Sequence, residues 1–206
     1  MLAFPATCIH PQSAWQKEYL SLRIISGLAR GKRLASIAGQ DIRPTPDKVR
    51  GAIFSILYSL VGSLEGKQVL DLFAGSGAMA LEALSRGAER AILVDKGAEA
   101  SRVIPANLAA CGFAQRAQLL RCDAFACIPK VATEKPFDLI FLDPPYGKGL
   151  VERMLGLISA EGLLARDGII CAETAKNEPI PTTVDTLART DRRDYGGTTV
   201  HFFQIQ

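Results

Sequence analysis

Residues 69–77 read Val-Leu-Asp-Leu-Phe-Ala-Gly-Ser-Gly, a short apolar run that passes directly into a glycine-rich turn. After the turn, Leu81 and Leu84 follow helical spacing, and Arg86-Gly87 supplies a basic last turn with a C-terminal glycine. The stretch therefore predicts a strand, a tight turn and a helix. Glycines at such a turn let the backbone approach a ligand, and they leave the first N–H groups of the helix pointing outward.

The same alternation of apolar run and helical pattern continues toward the C-terminus. Five apolar runs end in an acidic residue or just before one. A parallel strand pair needs a crossover of at least about 12 residues, usually a helix, and the spacing of the acidic positions leaves room for one. The pattern predicts a doubly wound α/β fold, with a parallel sheet covered on both faces. The acidic residues are Asp71, Asp95, Asp123, Asp143 and Glu173.

The chain before residue 66 does not follow this pattern. Residues 1–21 carry apolar patches and prolines without a clear period, and we expect a poorly ordered extension. Residues 22–65 predict a basic β-hairpin, an extended linker over 41–47 and a helix capped by Asp47. Residues 66–206 are predicted to form the α/β domain. The β-branched and aromatic residues that follow Gly196-Gly197 predict a terminal hairpin on the sheet edge.

Composition excludes several classes of protein. The chain has 206 residues, 48% of them hydrophobic and 22% charged, as in ordinary globular domains. No apolar run approaches the roughly 18 residues of a membrane-spanning helix, and a signal-peptide pattern is missing, so we expect a cytoplasmic protein. The five cysteines form no C-x-x-C pair and only two histidines occur, which predicts no disulfide framework and no metal site. We expect free, buried thiols at Cys122 and Cys171.

Asp143-Pro144-Pro145-Tyr146 follows the fourth apolar run, at the edge where open α/β sheets place their chemistry. The two prolines remove two N–H donors, and this leaves the carbonyls of Asp143 and Pro144 free to accept hydrogen bonds. A carboxylate beside a bare carbonyl is a receptor for an NH₂ group, and the ring of Tyr146 offers a face on which a planar base stacks. This combination favours chemistry on a base amine over a simple proline stop.

The glycine turn and Asp95 together predict a nucleotide-type cofactor. Asp95 ends the strand after the turn, where a carboxylate accepts the hydroxyls of a ribose. The glycines alone do not identify the cofactor, because Gly75-x-Gly77-x-x-Ala80 also satisfies the dinucleotide fingerprint. An NAD-dependent oxidoreductase therefore stays an alternative, although it gives Asp143-Pro-Pro-Tyr no role.

The net charge of +3 is unevenly distributed along the chain. The segment from Arg23 to Arg50 holds seven of the 24 basic residues and two of the 21 acidic ones, so the remainder is slightly acidic. A solvated charged hairpin has the same composition. Beside a predicted amine pocket, however, the segment favours contacts with nucleic-acid phosphates.

The motifs at 71–77 and 143–146 resemble the paired signature of class I S-adenosylmethionine-dependent methyltransferases that act on exocyclic amines of nucleic-acid bases. The runs Arg23-Ile-Ile-Ser, Arg30-Gly-Lys-Arg and Arg43-Pro-Thr-Pro-Asp-Lys-Val-Arg are similar to bacterial 16S ribosomal RNA guanine-N2 methyltransferases. The resemblance runs from about residue 22 to the C-terminus. It implies a Rossmann-like sheet of about seven strands with the last one antiparallel. It also implies methyl transfer from S-adenosylmethionine to N2 of one guanine in small-subunit ribosomal RNA.

The resemblance implies roles for individual residues. The partner would be ribosomal RNA or an assembling 30S subunit, and we expect a monomer. The cofactor would contact Thr45, Asp71, Phe73, Ala74, Gly75, Ser76, Gly77, Asp95, Lys96, Asp123 and Ala124. The catalytic group would be Asp143, Pro144, Pro145 and Tyr146. The RNA would contact Arg23, Arg30, Lys32, Arg33, Arg43, Lys48 and Arg50.

Two further functions share parts of this pattern. A DNA adenine-N6 methyltransferase uses the same Asp-Pro-Pro-Tyr chemistry, but 206 residues leave no room for the sizeable target-recognition insertion usual in those enzymes. A non-catalytic RNA-binding module would explain the basic segment but not an intact cofactor site. The chain also departs from the family's usual residues at Pro46, Gly51 and Asp95, none of which changes the expected chemistry.

Overall fold

The computed structural model describes residues 22–37 and 47–206. The expected N-terminal extension and most of the linker, including Arg43 and Thr45, lie outside the described residues. The described helices are α1 Asp47–Val61, α2 Ala78–Ser85, α3 Ala98–Cys111, α4 Ala124–Val131 and α5 Leu150–Ala160, with a short 3₁₀ turn at Ala132–Glu134. The strands are β1 Gln68–Leu72, β2 Arg90–Val94, β3 Ala117–Leu120, β4 Phe137–Leu142, β5 Leu164–Ala175, β6 Thr183–Val184, β7 Leu187–Tyr195 and β8 Thr198–Ile205.

The strands form one sheet in the order β3-β2-β1-β4-β5-β8-β7-β6. Neighbours from β3 to β5 are parallel, and each is reached through a helical crossover, as the alternating pattern predicted. The chain winds from β1 toward β3 and then returns to place β4 on the other side of β1. This reversal creates a switch point between β1 and β4, where open α/β sheets bind their ligands.

The C-terminal part of the sheet differs from the sequence prediction in one respect. The described residues form eight strands instead of about seven, because the two-residue strand β6 pairs with β7. The predicted terminal hairpin of β7 and β8 forms at this end of the sheet, and β8 is antiparallel to β5. Phe202 and Phe203 on β8 are buried on opposite faces of the sheet, so β8 contributes to both hydrophobic cores.

Two hydrophobic cores cover the two faces of the sheet. The first core receives Phe54 of α1, Leu81 of α2 and Ile104 of α3. The second core receives Ile128 of α4 and Met154 of α5. Alternate residues of the central strands enter one core or the other, so the position of a residue along its strand determines which face its side chain joins.

Residues 22–37 form a short hairpin-like turn with one antiparallel bridge, Arg23 to Arg33. The N–H groups of Ile24 and Leu34 donate across it to the carbonyls of Lys32 and Leu22 at 2.9 and 2.7 Å. The turn is fastened to α2 by buried polar side chains. The carboxylate of Glu82 accepts the N–H groups of Ile25 at 2.8 Å and Ser26 at 3.0 Å. The hydroxyl of Ser85 donates to the carbonyl of Ser26 at 2.6 Å. The basic segment therefore has a defined position on the α/β domain.

The cysteines depart from expectation at one position. Cys122 and Cys127 form a disulfide bond across the start of α4, with their Cα atoms 5.9 Å apart, so the prediction of a free thiol at Cys122 is wrong. The helix that begins at Ala124 brings both sulfurs to one side, and the sequence spacing alone did not reveal this. Cys171 is free and buried, as expected. Within the described residues, none of the helices is long and apolar enough to cross a membrane.

Candidate active site

Three acidic side chains lie at or near the carboxyl ends of three neighbouring strands, Asp71 in β1, Asp143 directly after β4 and Glu173 two residues before the end of β5. Asp71 pairs in register with Phe141 across β1 and β4, and Leu142 pairs with Ala172 across β4 and β5. Asp143 and Glu173 therefore occupy the next positions along two adjacent strands. Because side chains alternate along a strand, all three carboxylates belong to the same side of the sheet. They meet beside the switch point, where the loops after β1 and β4 diverge.

The glycine turn after β1 is tied to the end of β2. The N–H groups of Phe73 and Ala74 both donate to the carbonyl of Val94 at 3.0 Å. The carboxylate of Asp95 accepts the N–H of Gly75 at 2.8 Å through Oδ2 and the N–H of Gly97 at 2.7 Å through Oδ1. Each oxygen keeps a further lone pair, so the fixed carboxylate is able to accept ribose hydroxyls.

The turn contains backbone conformations that side chains seldom adopt. Phe73 has a φ of 69°, in the left-handed region that is costly for residues other than glycine. Gly77 has a φ of 79°, and a Cβ there would lie 3.0 Å from the side chain of Leu93. Such conformations concentrate at ligand-binding loops, where the surrounding structure holds them in place.

Asp71 is buried directly beneath this turn. Its Oδ2 accepts the N–H of Ala80 in the first turn of α2 at 3.2 Å. Burial raises the pKa of Asp71 to about 7, and the nearby negative charge of Asp95 adds to the rise, while the hydrogen bond from Ala80 opposes it. A cationic ligand beside this carboxyl would favour its ionised form.

Lys96 and Asp123 come together from the ends of β2 and β3. Lys96 Nζ lies 3.0 Å from Asp123 Oδ2. Asp123 also caps α4, because its Oδ1 accepts the N–H of Phe125 at 3.0 Å. The hydrogen bond from Lys96 lowers the pKa of Asp123 below its ordinary value. The structure thus brings these two predicted cofactor residues into contact at the edge of the same cleft.

Asp143 lies in a concentration of negative charge. Its pKa is raised well above the ordinary value because the surrounding protein desolvates the carboxyl, and because Glu173 and Asp71 add negative charge. The residue still has exposed surface. The Tyr146 hydroxyl donates to Glu173 Oε1 at 2.8 Å, which connects the Asp-Pro-Pro-Tyr segment to β5. Glu173 was not among the site residues predicted from the sequence, although it follows the fifth apolar run as Asp143 follows the fourth.

Asn107 on α3 is a second residue that the sequence did not single out. Its buried amide nitrogen donates to the carbonyls of Ala35 at 3.0 Å and Ser76 at 2.9 Å, and its oxygen accepts the N–H of Ala35 at 2.8 Å. Asn107 therefore connects the N-terminal segment to the glycine turn. A single Asn in a helical pattern carries no sequence signal of this role.

The predicted RNA contacts separate into two groups. Arg23, Arg30, Lys32, Arg33 and Lys48 are exposed, and apart from the pairing of Arg23 with Asp47 none of them has an ion pair among the described residues. Arg43 lies outside the described residues.

Arg50 is only 1% exposed, so its assignment as an RNA contact is wrong. Its Nη2 binds Asp47 Oδ1 at 2.9 Å and the carbonyl of Arg23, and its Nε lies 3.9 Å from Glu82. The residue sits one turn into α1, on the face that packs against the N-terminal segment. The number of charged residues in a segment does not show which of them lie on the buried face of a helix.

A parallel sheet with this switch point, a glycine turn and Asp-Pro-Pro-Tyr at the end of the fourth strand defines a class I methyltransferase fold. The described residues hold no group of three or more His, Cys, Asp or Glu side chains placed to bind a metal ion.

The solved structure of the Escherichia coli protein yhhF, named as a proposed methyltransferase, has a TM-score of 0.76 and is 30% identical. The match covers 90% of this chain and 98% of that one.

The family described as "Conserved hypothetical protein 95" matches residues 22–204, and the chain belongs to this family. The Bacillus subtilis protein YlbH, whose name proposes an rRNA methyltransferase, is 39% identical over 184 residues, which are 89% of this chain and 98% of YlbH. Ribosomal RNA small subunit methyltransferase D of Escherichia coli is 35% identical over 161 residues, 78% of either chain. These relatives confirm the resemblance to small-subunit rRNA methyltransferases that the motifs indicated.

Proposed function

We propose that this protein transfers a methyl group from S-adenosylmethionine to the exocyclic N2 amine of one guanine in small-subunit ribosomal RNA. The observation that supports the proposal is the position of Asp143-Pro144 directly after β4, beside the strand β1 that leads into the glycine turn. The names of the relatives support ribosomal RNA as the substrate. The protein would meet this substrate in the cytoplasm, as a monomer.

The cleft suits a cofactor that carries a sulfonium and a ribose. Asp71 supplies a buried carboxyl whose raised pKa marks a place where a cation is stabilising. Asp95 supplies a fixed carboxylate for the ribose hydroxyls. Asp123 and the buried Ala124 lie where the adenine edge would bind. When bound, S-adenosylmethionine supplies an electrophilic methyl group.

Asp143 and Pro144 prepare a poor nucleophile for attack. The lone pair of guanine N2 is delocalised into the ring, so the nitrogen has to be oriented and made pyramidal. The Asp143 carboxylate and the Pro144 carbonyl would accept its two N–H bonds and direct the lone pair toward the methyl group. Positioning of this kind supplies as much as about 7–11 kcal/mol of barrier reduction. Methyl transfer would leave one proton too many on the amine, and the Asp143 carboxylate would accept it.

The exposed basic residues provide a surface for the RNA backbone. Contacts from Arg30, Lys32 and Arg33 to phosphates would hold the RNA without reading its sequence. The target base would enter the cleft from an unpaired loop or by flipping, at a cost of a few kcal/mol. Hydrogen bonds of Asn107 and Glu82 fix the position of this surface relative to the glycine turn.

The test combines nucleoside mass spectrometry with a transfer assay. Ribosomal RNA from cells that lack the gene should lose one N2-methylguanosine from the small subunit. The purified protein should restore it with labelled S-adenosylmethionine. The Asp143→Ala variant should reduce transfer by at least about 100-fold. Gain of N6-methyladenosine in DNA would instead indicate an adenine methyltransferase, and binding of NAD without S-adenosylmethionine would indicate an oxidoreductase.

A further inference from the structure

We propose that Glu173 is the residue that selects guanine, by accepting the N1–H of the target base while Asp143 and Pro144 hold N2. This inference rests on the proposed function, since it takes the guanine N2 amine as the reacting group. It assigns Glu173 a direct contact with the base, beside the contacts that the Asp-Pro-Pro-Tyr motif makes.

The position of Glu173 follows from strand register. Leu142 and Ala172 are partners across β4 and β5, so Asp143 and Glu173 are the next residues on two adjacent parallel strands. Adjacent strands lie about 5 Å apart, and side chains at matching positions share a face. The two carboxylates are therefore neighbours, as two adjacent donors on one base edge require.

Tyr146 holds Glu173 in this position. The phenolic hydroxyl donates to Glu173 Oε1 at 2.8 Å, across 27 residues of sequence. Glu173 is half-buried, and the contact fixes its carboxylate on the side of the sheet that also carries Asp143. The negative charge of Glu173 also contributes to the raised pKa of Asp143, which shows that the two carboxyl groups interact. Tyr146 thus has a second role besides offering a face for stacking.

The chemistry of the base edge explains the selection. Guanine presents N1–H and N2–H₂ side by side, and both are donors. In adenine, N1 is an acceptor, and its lone pair would face a carboxylate that only accepts. A site that places an acceptor opposite N1 disfavours a base whose N1 is also an acceptor, because two lone pairs then face each other in place of a hydrogen bond. Two carboxylates and one carbonyl match the donor edge of guanine.

The test uses 2-aminopurine, which keeps the reacting amine but has an unprotonated N1. Small-subunit RNA is prepared with guanine or 2-aminopurine at the mapped target position, and the rate of methyl transfer to N2 is measured for each. The wild-type protein should prefer guanine by about 100-fold. The Glu173→Gln variant offers an amide N–H to N1 of 2-aminopurine, so its preference for guanine should fall by at least about 10-fold.

A matched control comes from Glu178, a carboxylate near the same edge that accepts the backbone N–H of Gly147 at 3.1 Å. The Glu178→Gln variant should keep the wild-type base preference. Calorimetric binding of S-adenosylmethionine to each variant verifies that the cofactor site is folded.

Equal rates of the wild-type protein on guanine and 2-aminopurine would overturn the role of Glu173, whatever the variants do. An unchanged base preference in Glu173→Gln would do the same. Failure of the proposed function is distinguishable, because the wild-type protein would then form no N2-methylguanosine on either RNA.

Discussion

At the scale of one residue, Asp71 is the side chain that we propose stabilises the cationic part of the cofactor. The carboxyl is buried and its pKa is about 7, far above that of an exposed aspartate. In the empty cleft at neutral pH, a substantial share of molecules therefore carries a protonated Asp71. A bound sulfonium or ammonium group restores the charge, so binding of the cofactor and loss of this proton are linked.

The affinity for S-adenosylmethionine should therefore depend on pH. The pKa of Asp71 is about 7 without ligand, and a bound cation would lower it, so binding should be strongest above pH 7. Below pH 7 the dissociation constant should rise by up to about tenfold per pH unit. Isothermal titration calorimetry from pH 5.5 to 8.5 measures this dependence.

The control for this prediction is Asp71→Asn, which should bind weakly and lose the part of the pH dependence that Asp71 contributes. The prediction is wrong if the wild-type protein and Asp71→Asn show the same change in affinity across this range.

At the scale of elements, α2 joins the glycine turn to the N-terminal segment. The helix begins after Gly77, which belongs to the turn, and its buried Glu82 binds the backbone of Ile25 and Ser26. Glu82 also pairs with Arg86 at 2.7 Å and lies 3.9 Å from the Nε of Arg50. One carboxylate therefore neutralises two cations and anchors the segment that carries the exposed basic side chains.

Removal of this carboxylate should destabilise the protein strongly. We expect Glu82→Ala to lower the free energy of unfolding by about 3–5 kcal/mol, because Arg50 would stay buried without its second counter-charge. Urea unfolding monitored by circular dichroism measures the change. The comparison variant is Glu134→Gln, which breaks the exposed pair with Arg90 and should cost less than about 1 kcal/mol. Similar losses for the two variants would contradict the structural role of Glu82.

At the scale of the whole molecule, charge is separated between two regions. Carboxylates gather at the switch point, where a cationic cofactor and a base amine would bind. Exposed cations gather on the N-terminal segment, whose turn docks on Ser85 at the C-terminal end of α2. Through Ala35 and Asn107 the same segment also reaches Ser76 in the glycine turn, so the basic region extends along α2 toward the switch point.

The salt dependence of RNA binding should report on the basic region. Replacing Arg30 and Lys32 with Gln should weaken binding to all RNA sequences about equally. It should also lower the slope of log K against log salt by roughly 0.7–0.9 for each lost phosphate contact. Filter binding at several salt concentrations measures the slope. Arg166→Gln, an exposed charge on β5, is the control that should leave it unchanged. If replacing Arg30 and Lys32 leaves the slope of log K against log salt unchanged, the RNA binds to another part of the protein.

Local patterns determined much of what the sequence alone could predict. The strands, the glycine turn, the crossover helices and the Asp-Pro-Pro-Tyr motif all depend on residues near one another in the chain. Hydrophobic periodicity and the conformational limits of glycine and proline act over a few residues, so they are readable without a structure. The family and its class of chemistry followed from the same short motifs.

Contacts between distant residues were decided only by the tertiary structure. The pairing of β4 with β5 placed Glu173 beside Asp143, and the packing of α1 on the N-terminal segment buried Arg50. Asn107 became a link between Ala35 and Ser76 through the same packing. These outcomes depend on which surfaces meet when the sheet and its helices assemble. An isolated Glu, Arg or Asn carries the same local signal whether it ends on the surface or in the active site.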